Sequence, residues 1–207
     1  MADAIDGQAF WDERFSSEDY VFGTQPNAFL TREAHRLKET SRVLAIADGE
    51  GRNSVFLARH GHKVTATDIS PRAIEKAERL AAKSGVEVHF IHADLASWDW
   101  PENAFDAVVG IFIQFAAPPL RDRLFERMAK ALKPGGLLLL EGYRPEQLDY
   151  GTGGPPTAEN MYTEAILREG FAALEIEHLE SYDAEISEGN GHEGMSALID
   201  LVARRPE

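Results

Sequence analysis

Two glycines, three carboxylates and one histidine carry most of the chemistry open to this chain. Gly49 and Gly51 interrupt the strand-like apolar run Val43-Leu44-Ala45-Ile46-Ala47-Asp48. Val55, Phe56 and Ala58 follow at helical spacing. A strand, a glycine turn and a helix start in succession form a cradle. There the backbone approaches a ligand closely and free N–H groups face it. Asp68 lies nineteen residues past Gly49, the spacing at which a carboxylate takes both hydroxyls of a ribose. Asp94, with the Leu95 N–H beside it, follows a third apolar segment and offers an acceptor and a donor to an adenine edge. His192, alone among the histidines in a glycine-rich loop, is a candidate general base.

The glycines and Asp68 do not by themselves name the nucleotide. Gly49-x-Gly51-x-x-Ser54 has serine where a dinucleotide fingerprint has its third glycine, and an acid at 68 serves NAD or S-adenosylmethionine alike. Charge separates them. Arg52 is the one basic residue beside the glycines, so a pyrophosphate is weakly supported. Asp48 and Glu50 repel phosphate and attract a sulfonium or an ammonium.

The whole chain has the same bias. Its 207 residues carry a net charge of −14, with 43% hydrophobic and 27% charged residues. A chain of this length buries a substantial core and reads as a single domain, residues 1–207. The acidic balance disfavours nucleic acid and anionic membranes as partners, because no basic face is available for counterion release. It suits a small-molecule partner. There are no cysteines, so disulfides, thiolate catalysis and cysteine metal sites are excluded. His89 and His92 point to opposite faces of a strand, and no metal site is expected. The N-terminal Met1–Asp6 lacks the basic and apolar regions of a signal peptide, and no apolar run is long enough for a bilayer. The expectation is a cytoplasmic protein.

The elements that must position these residues alternate. Residues 1–40 form an aromatic-rich leader, a strap or a lid, in which Gly23 and Pro26 break the segment 20–27 and residues 28–39 read as a helix. Residues 41–207 form the core. Strands are expected at Val43–Ala47, Lys63–Thr67, Val86–Ile91, Phe105–Ile113 and Leu137–Leu140, and a terminal pair at Phe171–Ile186 and Met195–Ala203. Helices are expected after Gly51, from Pro71 to Lys83, from Pro118 to Leu132, and, after Pro155-Pro156-Thr157, up to Arg168. Such alternation requires parallel strands with right-handed crossovers: an open, doubly wound α/β sheet whose ligand lies beyond the carboxyl ends of its strands.

The chain resembles class I S-adenosylmethionine-dependent methyltransferases over about residues 10–204. The carriers are Val43–Gly51, Gly51-Arg52-Asn53-Ser54-Val55-Phe56-Leu57-Ala58, Asp68, Ala93-Asp94-Leu95, Phe105-Asp106-Ala107-Val108 and Leu132-Lys133-Pro134-Gly135-Gly136. The Gly-Arg-Asn helix start and the leader Trp11-Asp12-Glu13-Arg14-Phe15 resemble the small tellurite-resistance and thiopurine-type branch. The resemblance implies a seven-stranded Rossmann-like sheet with an antiparallel last strand and helices on both faces. It implies S-adenosylmethionine as cofactor and S-adenosylhomocysteine as product. Ala47, Asp48, Gly49, Glu50 and Gly51 would line the methionine end, Asp68 the ribose, and Asp94 and Leu95 the adenine. Asn53, Ile69 and Ile111 complete the implied set. The family usually has an acid where this chain has Ala45 and a glycine where it has Ala47; Asp48 is the candidate to supply the missing charge.

Methyl transfer from a sulfonium needs alignment above all, and a soft acceptor such as a thiol or chalcogen oxyanion needs no base. The acceptor site is expected beyond the fourth and fifth strands. Candidates are Gln114, Tyr143 and Tyr150, with Trp11 and Tyr20 from the leader, and Arg14 or Arg144 as anion clamps. Tyr143 and His192 are the candidate catalytic pair. The loop from Arg144 to Pro156 is long for a strand-to-helix connection, and long loops in compact domains are usually functional.

Overall fold

The structure is a computed structural model that describes residues 7–189 and 191–207; the N-terminal stretch Met1–Asp6 lies outside the described residues, as does Asn190. Seven strands form one sheet in the order β3-β2-β1-β4-β5-β7-β6. The strands are β1 (Arg42–Ala45), β2 (Lys63–Asp68), β3 (His89–His92), β4 (Phe105–Ile111), β5 (Leu132–Tyr143), β6 (Glu175–Ser187) and β7 (Glu193–Arg204). Strands β1 to β5 pair in parallel, and β7 runs antiparallel to both β5 and β6. This is the expected doubly wound sheet with an antiparallel final strand. Strand order reverses between β1 and β4, and their carboxyl ends diverge there.

Alternating side chains give the sheet two apolar faces. Leu44, Ile46, Val108, Leu138 and Leu140 point to one, covered by α5 (Pro118–Ala131) and α7 (Glu164–Gly170) through Phe125, Met128 and Leu167. Val43, Ala45, Ala107, Val109 and Leu139 point to the other, under Phe29 and Leu30 of α2 (Ala28–Glu33) and Leu57 of α3 (Arg52–Arg59). Continuous apolar runs at β4 and β5 follow from burial on both sides. Next to α3, α4 (Pro71–Ser84) has the expected ends. Ser70 accepts from Ala73 N at 3.2 Å, Pro71 opens the helix, and Gly85 closes it in the left-handed region.

Several boundaries differ from expectation; the first strand ends at Ala45 rather than Ala47, and the sixth begins at Glu175 rather than Phe171. The third strand begins at His89 rather than Val86, where it first pairs with Thr65 of β2. The fourth ends at Ile111 because Phe112 takes a φ of 55°. The fifth strand begins at Leu132 rather than Leu137, with a bulge in its pairing to β4, because Leu132 already pairs with Phe105. A short helix not anticipated, α6 (Gln147–Tyr150), lies in the 144–156 loop, and the helix expected over 158–168 is a 3-10 turn at Ala158–Asn160 followed by α7. The leader holds a short helix not anticipated, α1 (Gln8–Arg14), and the helix expected over 28–39 ends as a 3-10 turn at Ala34–Arg36. Among the described residues no helix is long and apolar enough to cross a membrane.

Candidate active site

A cavity of about 550 Å³ opens at the carboxyl ends of β1 to β4, where strand order reverses. Of the residues singled out in the sequence, Trp11, Ala47, Asp48, Gly49, Asn53, Asp68, Ile69, Asp94, Leu95, Ile111 and His192 line it. Arg14, Tyr20, Glu50, Gly51, Gln114, Tyr143 and Tyr150 stand outside its wall.

The β1–β3 side is polar. Asp68 ends β2, and its two oxygens accept from Gly49 N and Ser70 N, each at 2.8 Å. Burial pushes its carboxyl up to about 6, against these hydrogen bonds. Asp48 accepts from Ser54 N at 3.3 Å and from the Ser54 hydroxyl, so its carboxyl caps the start of α3 while facing the cavity. Burial, with the Asp68 charge adding to it, pushes Asp48 up to about 7. Asp94 accepts from Ala96 N at 2.8 Å and Ser97 Oγ at 2.9 Å, which fixes its carboxylate at the cavity edge. Asn53 accepts from Asn27 N at 3.0 Å and ties α3 to the leader.

Glu50 and Gly51 serve the cradle from behind. Glu50 is buried, ion-paired with Lys76 of α4, and accepts from Phe22 N at 3.3 Å. Its charge is matched by a buried lysine rather than facing the ligand space. At Gly51, with a φ of 88°, a Cβ would lie 2.7 Å from Ala77 Cβ. That glycine lets α3 and α4 cross closely. Ala47 adopts a φ of 46° at the position where the resembled family usually has glycine.

The β4–β7 side is aromatic. Trp11 stacks on Phe15, Phe15 meets Phe22 edge-on, and Phe22 lies 4.6 Å from the His192 ring. On its other side His192 stacks on Phe112 at 4.4 Å, and Phe112 stacks on Tyr143 at 4.6 Å. The Tyr143 hydroxyl is hydrogen-bonded to His192 Nδ1. Enclosure, with Arg52 and Arg14 nearby, drives the His192 imidazole down to about 3, so the ring is neutral at physiological pH. The leader is both strap and wall. Asp12 accepts from Ser70 Oγ at 2.6 Å, Tyr20 donates to Lys76 O at 2.9 Å, and Lys76 donates to Ser17 O at 2.9 Å. Gly7, Gln8, Trp11, Phe15 and Phe22 line the cavity. Arg14 sits over the Phe22 ring at 5.4 Å.

The remaining candidates brace the frame. Gln114 donates to Tyr143 O at 2.8 Å and accepts from Tyr143 N at 2.6 Å, buried behind the cavity wall. Tyr150 donates to Asp183 at 3.1 Å on the outer hairpin. Arg144 donates to Leu198 O at 3.1 Å and pairs with Asp183, which leaves it a hairpin brace rather than a clamp. The long 144–156 loop packs on β7, with Gln147 accepting from Ala197 N at 2.8 Å and Thr152 donating to Met195 O at 2.6 Å, and none of it lines the cavity. Phe22, Phe112 and Arg52 are cavity residues that the sequence reading did not select. Their signals are weak there: Phe112 sits inside an apolar run, and Arg52 reads as a helix-start charge.

The donor set fits an adenosine with a cationic tail. A buried ribose-spaced carboxylate, an Asp94 beside apolar Leu95, and a glycine turn whose neighbouring cation, Arg52, is paired with Glu188 line a cavity of ligand size. Residues 43–136 match the family described as a methyltransferase domain. Among curated relatives, demethylmenaquinone methyltransferase of Thermus thermophilus is 31% identical over 110 residues, 52% of this chain and 50% of that protein. The chain spans about half the length, or less, of the curated relatives it matches. Among solved structures, the N-methyltransferase NodS of Bradyrhizobium japonicum WM9, in complex with S-adenosyl-L-homocysteine, superposes with a TM-score of 0.72 at 18% identity, covering 99% of this chain and 100% of that one. TehB of Haemophilus influenzae gives a TM-score of 0.72 at 17% identity, covering 96% and 66%. At those identities the structures speak for the fold, and the family match for the domain. Residues 43–136 therefore match a methyltransferase domain, within a sheet that has the fold of the S-adenosylmethionine-dependent methyltransferases.

Proposed function

We propose that the whole chain is a methyltransferase that passes the methyl group of S-adenosylmethionine to a small soft nucleophile, such as a thiol or a chalcogen oxyanion. It is a cytoplasmic enzyme of one domain, in the tellurite-resistance and thiopurine-type branch, with residues 1–40 as its lid. The observation that carries this reading is the division of one cavity into a carboxylate side, centred on Asp68, and an aromatic side, centred on His192. The net charge of −14 supports a small molecule over nucleic acid or an anionic membrane. The Gly51-Arg52-Asn53 helix start and the TehB likeness support the branch.

The bound cofactor supplies a methyl group already activated on a sulfonium. The chain's own residues hold and orient. Asp68 takes the ribose hydroxyls, Asp94 and Leu95 meet the adenine, and the Ala47–Gly51 turn offers backbone groups to the methionine end. Asp48 faces that end with a carboxyl that a neighbouring ammonium would draw into its charged form. The rings of Trp11, Phe15, Phe22 and Phe112 keep water from the far side. Alignment of this kind contributes up to about 7–11 kcal/mol to a two-reactant step.

Calorimetric titration with S-adenosylhomocysteine and with NADH, followed by labelled-methyl transfer to thiophenol and to tellurite, tests the proposal. Homocysteine-form binding with labelled product supports it. Binding without transfer to either acceptor replaces it by a non-catalytic cofactor-binding protein, and binding of NADH alone by an oxidoreductase.

A further inference from the structure

His192 is held more tightly than a solvent-facing base needs to be. Phe22 and Phe112 cover its two faces, at 4.6 and 4.4 Å between ring centres, and the residue is 7% exposed. Of its two polar atoms, Nδ1 faces the Tyr143 hydroxyl, and the ring lines the cavity with Nε2 as its remaining polar atom. The direction of the Tyr143 bond follows from proton accounting. Tyr143 is 1% exposed; its hydroxyl meets Nδ1, and the Ser196 hydroxyl approaches the same phenol oxygen as a donor. If Nδ1 also carried a proton, the phenol oxygen would face two donors, and its own proton would have no acceptor in the contact with the ring. The phenol is also held above its ordinary range by burial and by the Glu141 and Glu188 charges, so it keeps its proton. Tyr143 therefore donates, Nδ1 accepts, and the ring proton resides on Nε2.

The charges around the ring agree. Arg14 reaches it from α1 over Phe22, and Arg52 from α3. Arg52 is buried and paired with Glu188 at 2.7 Å through one nitrogen, while its Nη1 has no hydrogen-bond partner among the described residues. Glu141 stands behind Tyr143 on β5. Arg52 and Arg14 thus oppose protonation of the imidazole, with Glu188 balancing Arg52 through one nitrogen and leaving its Nη1 to an anion beside the ring.

We infer that His192, its tautomer fixed by the positioning residue Tyr143, presents Nε2–H as a hydrogen-bond donor to an acceptor that binds as a soft anion, and does not act as a base toward a neutral acceptor. This rests on the methyl-transfer reading of the site. The acceptor leaves its proton in solvent before it binds. In the transfer, a lone pair on the anion forms the new bond to the methyl carbon, and the carbon–sulfur bonding pair returns to the sulfonium sulfur. One negative and one positive charge cancel, and no proton moves.

Two measurements test it. The first needs no turnover: nitrogen-15 correlation spectra of the histidine rings, with S-adenosylhomocysteine absent and present, identify which nitrogen of His192 bears the proton at pH 7. Protonated Nε2 with bare Nδ1 is expected, and loss of that pattern in Tyr143→Phe. An Nδ1–H tautomer or an imidazolium overturns the inference. The second is kcat/KM against pH for a series of ring-substituted thiophenols of graded acidity. Each profile is expected to level off at that thiol's own ionisation, moving with the thiol. His192→Phe is expected to lose about 10- to 100-fold, and His192→Gln, which keeps an N–H donor, to recover most of it. An inflection common to all thiols, with His192→Gln as impaired as His192→Phe, marks a base and overturns the inference. Failure of S-adenosylhomocysteine to bind overturns instead the methyl-transfer reading, and leaves the tautomer measurement standing.

Discussion

The two sides of the cavity are built by different means. On the β1–β3 side, Asp48, Asp68 and Asp94 sit at strand ends, each carboxylate fixed by N–H or hydroxyl donors within six residues or, for Gly49 and Asp68, across one crossover. On the β4–β7 side, Trp11, Phe15, Phe22, Phe112, Tyr143 and His192 come from the leader, two strand ends and the terminal hairpin, and meet ring to ring. The first side is a local device, repeated at each crossover, and suits a ligand of constant shape. The second is assembled from distant segments by apolar contact. It can change its lining while the sheet stays the same, as an acceptor pocket must.

The largest expected effect breaks the polar side at its foundation. Gly51→Val puts a side chain where a Cβ alone would lie 2.7 Å from Ala77 Cβ, in a backbone conformation with a φ of 88°. It should destabilise the fold by about 3 kcal/mol or more, read as a fall of many degrees in melting temperature. A near-unchanged melting curve would show that α3 and α4 can separate freely. Next is Phe22→Ala, which removes one face of the His192 sandwich and keeps the backbone N–H that meets Glu50. Turnover of an aromatic thiol should fall about tenfold, a loss of about 1.4 kcal/mol, with S-adenosylhomocysteine affinity within about twofold. Equal losses in both would mean that the aromatic side belongs to the cofactor.

Stability against pH sharpens the electrostatic half of the contrast. Asp48 rises from 3.8 to about 7 on folding. The folded protein therefore holds a proton that the unfolded chain has released, and this contribution is complete below about pH 4 and is lost as pH rises through 7. Asp48→Asn should be indistinguishable from the parent near pH 4 and more stable by about 1–2 kcal/mol at pH 8, in the ligand-free protein. A variant less stable at pH 8 would mean that the charged form is the favoured one. The same variant weakens S-adenosylhomocysteine binding if Asp48 supplies the charge missing at Ala45; unchanged affinity would assign Asp48 to capping α3 alone. The smallest effect is at Ala47→Gly, which relieves a φ of 46° and should stabilise by about 0.5 kcal/mol, measured by denaturant midpoint.

The same contrast explains what was legible in the sequence. Strand order, the antiparallel end and the carboxylate side are written in short segments. Ser70-Pro71 opens α4, Gly85 closes it, and Asp68 stands at a fixed distance from Gly49. Each of these depends on neighbours a few residues away or on one βαβ unit. The aromatic side depends on pairings across the whole chain, such as Phe22 with His192, which no local pattern encodes. Loop length pointed to residues 144–156, yet that loop is spent on the hairpin through Gln147 and Thr152. The shorter Gly189–Gly194 loop reaches the cavity because Gly191 N donates to Val21 O at 3.1 Å and Gly189 packs where a Cβ would lie 2.4 Å from Gly23 N. Glu50 has the acidic flank that a sulfonium would favour, but a buried Lys76 claims it. Which charge faces a ligand and which faces the core is decided by helix packing, not by sequence neighbours.

The division of the cavity is tested most directly by one calorimetric series, S-adenosylhomocysteine titrated into the parent protein, Asp68→Ala and His192→Phe. The account predicts measurable binding by the parent, a loss of about 10- to 100-fold in Asp68→Ala, and affinity within about twofold in His192→Phe. Undiminished binding by Asp68→Ala, or a loss confined to His192→Phe, would contradict it.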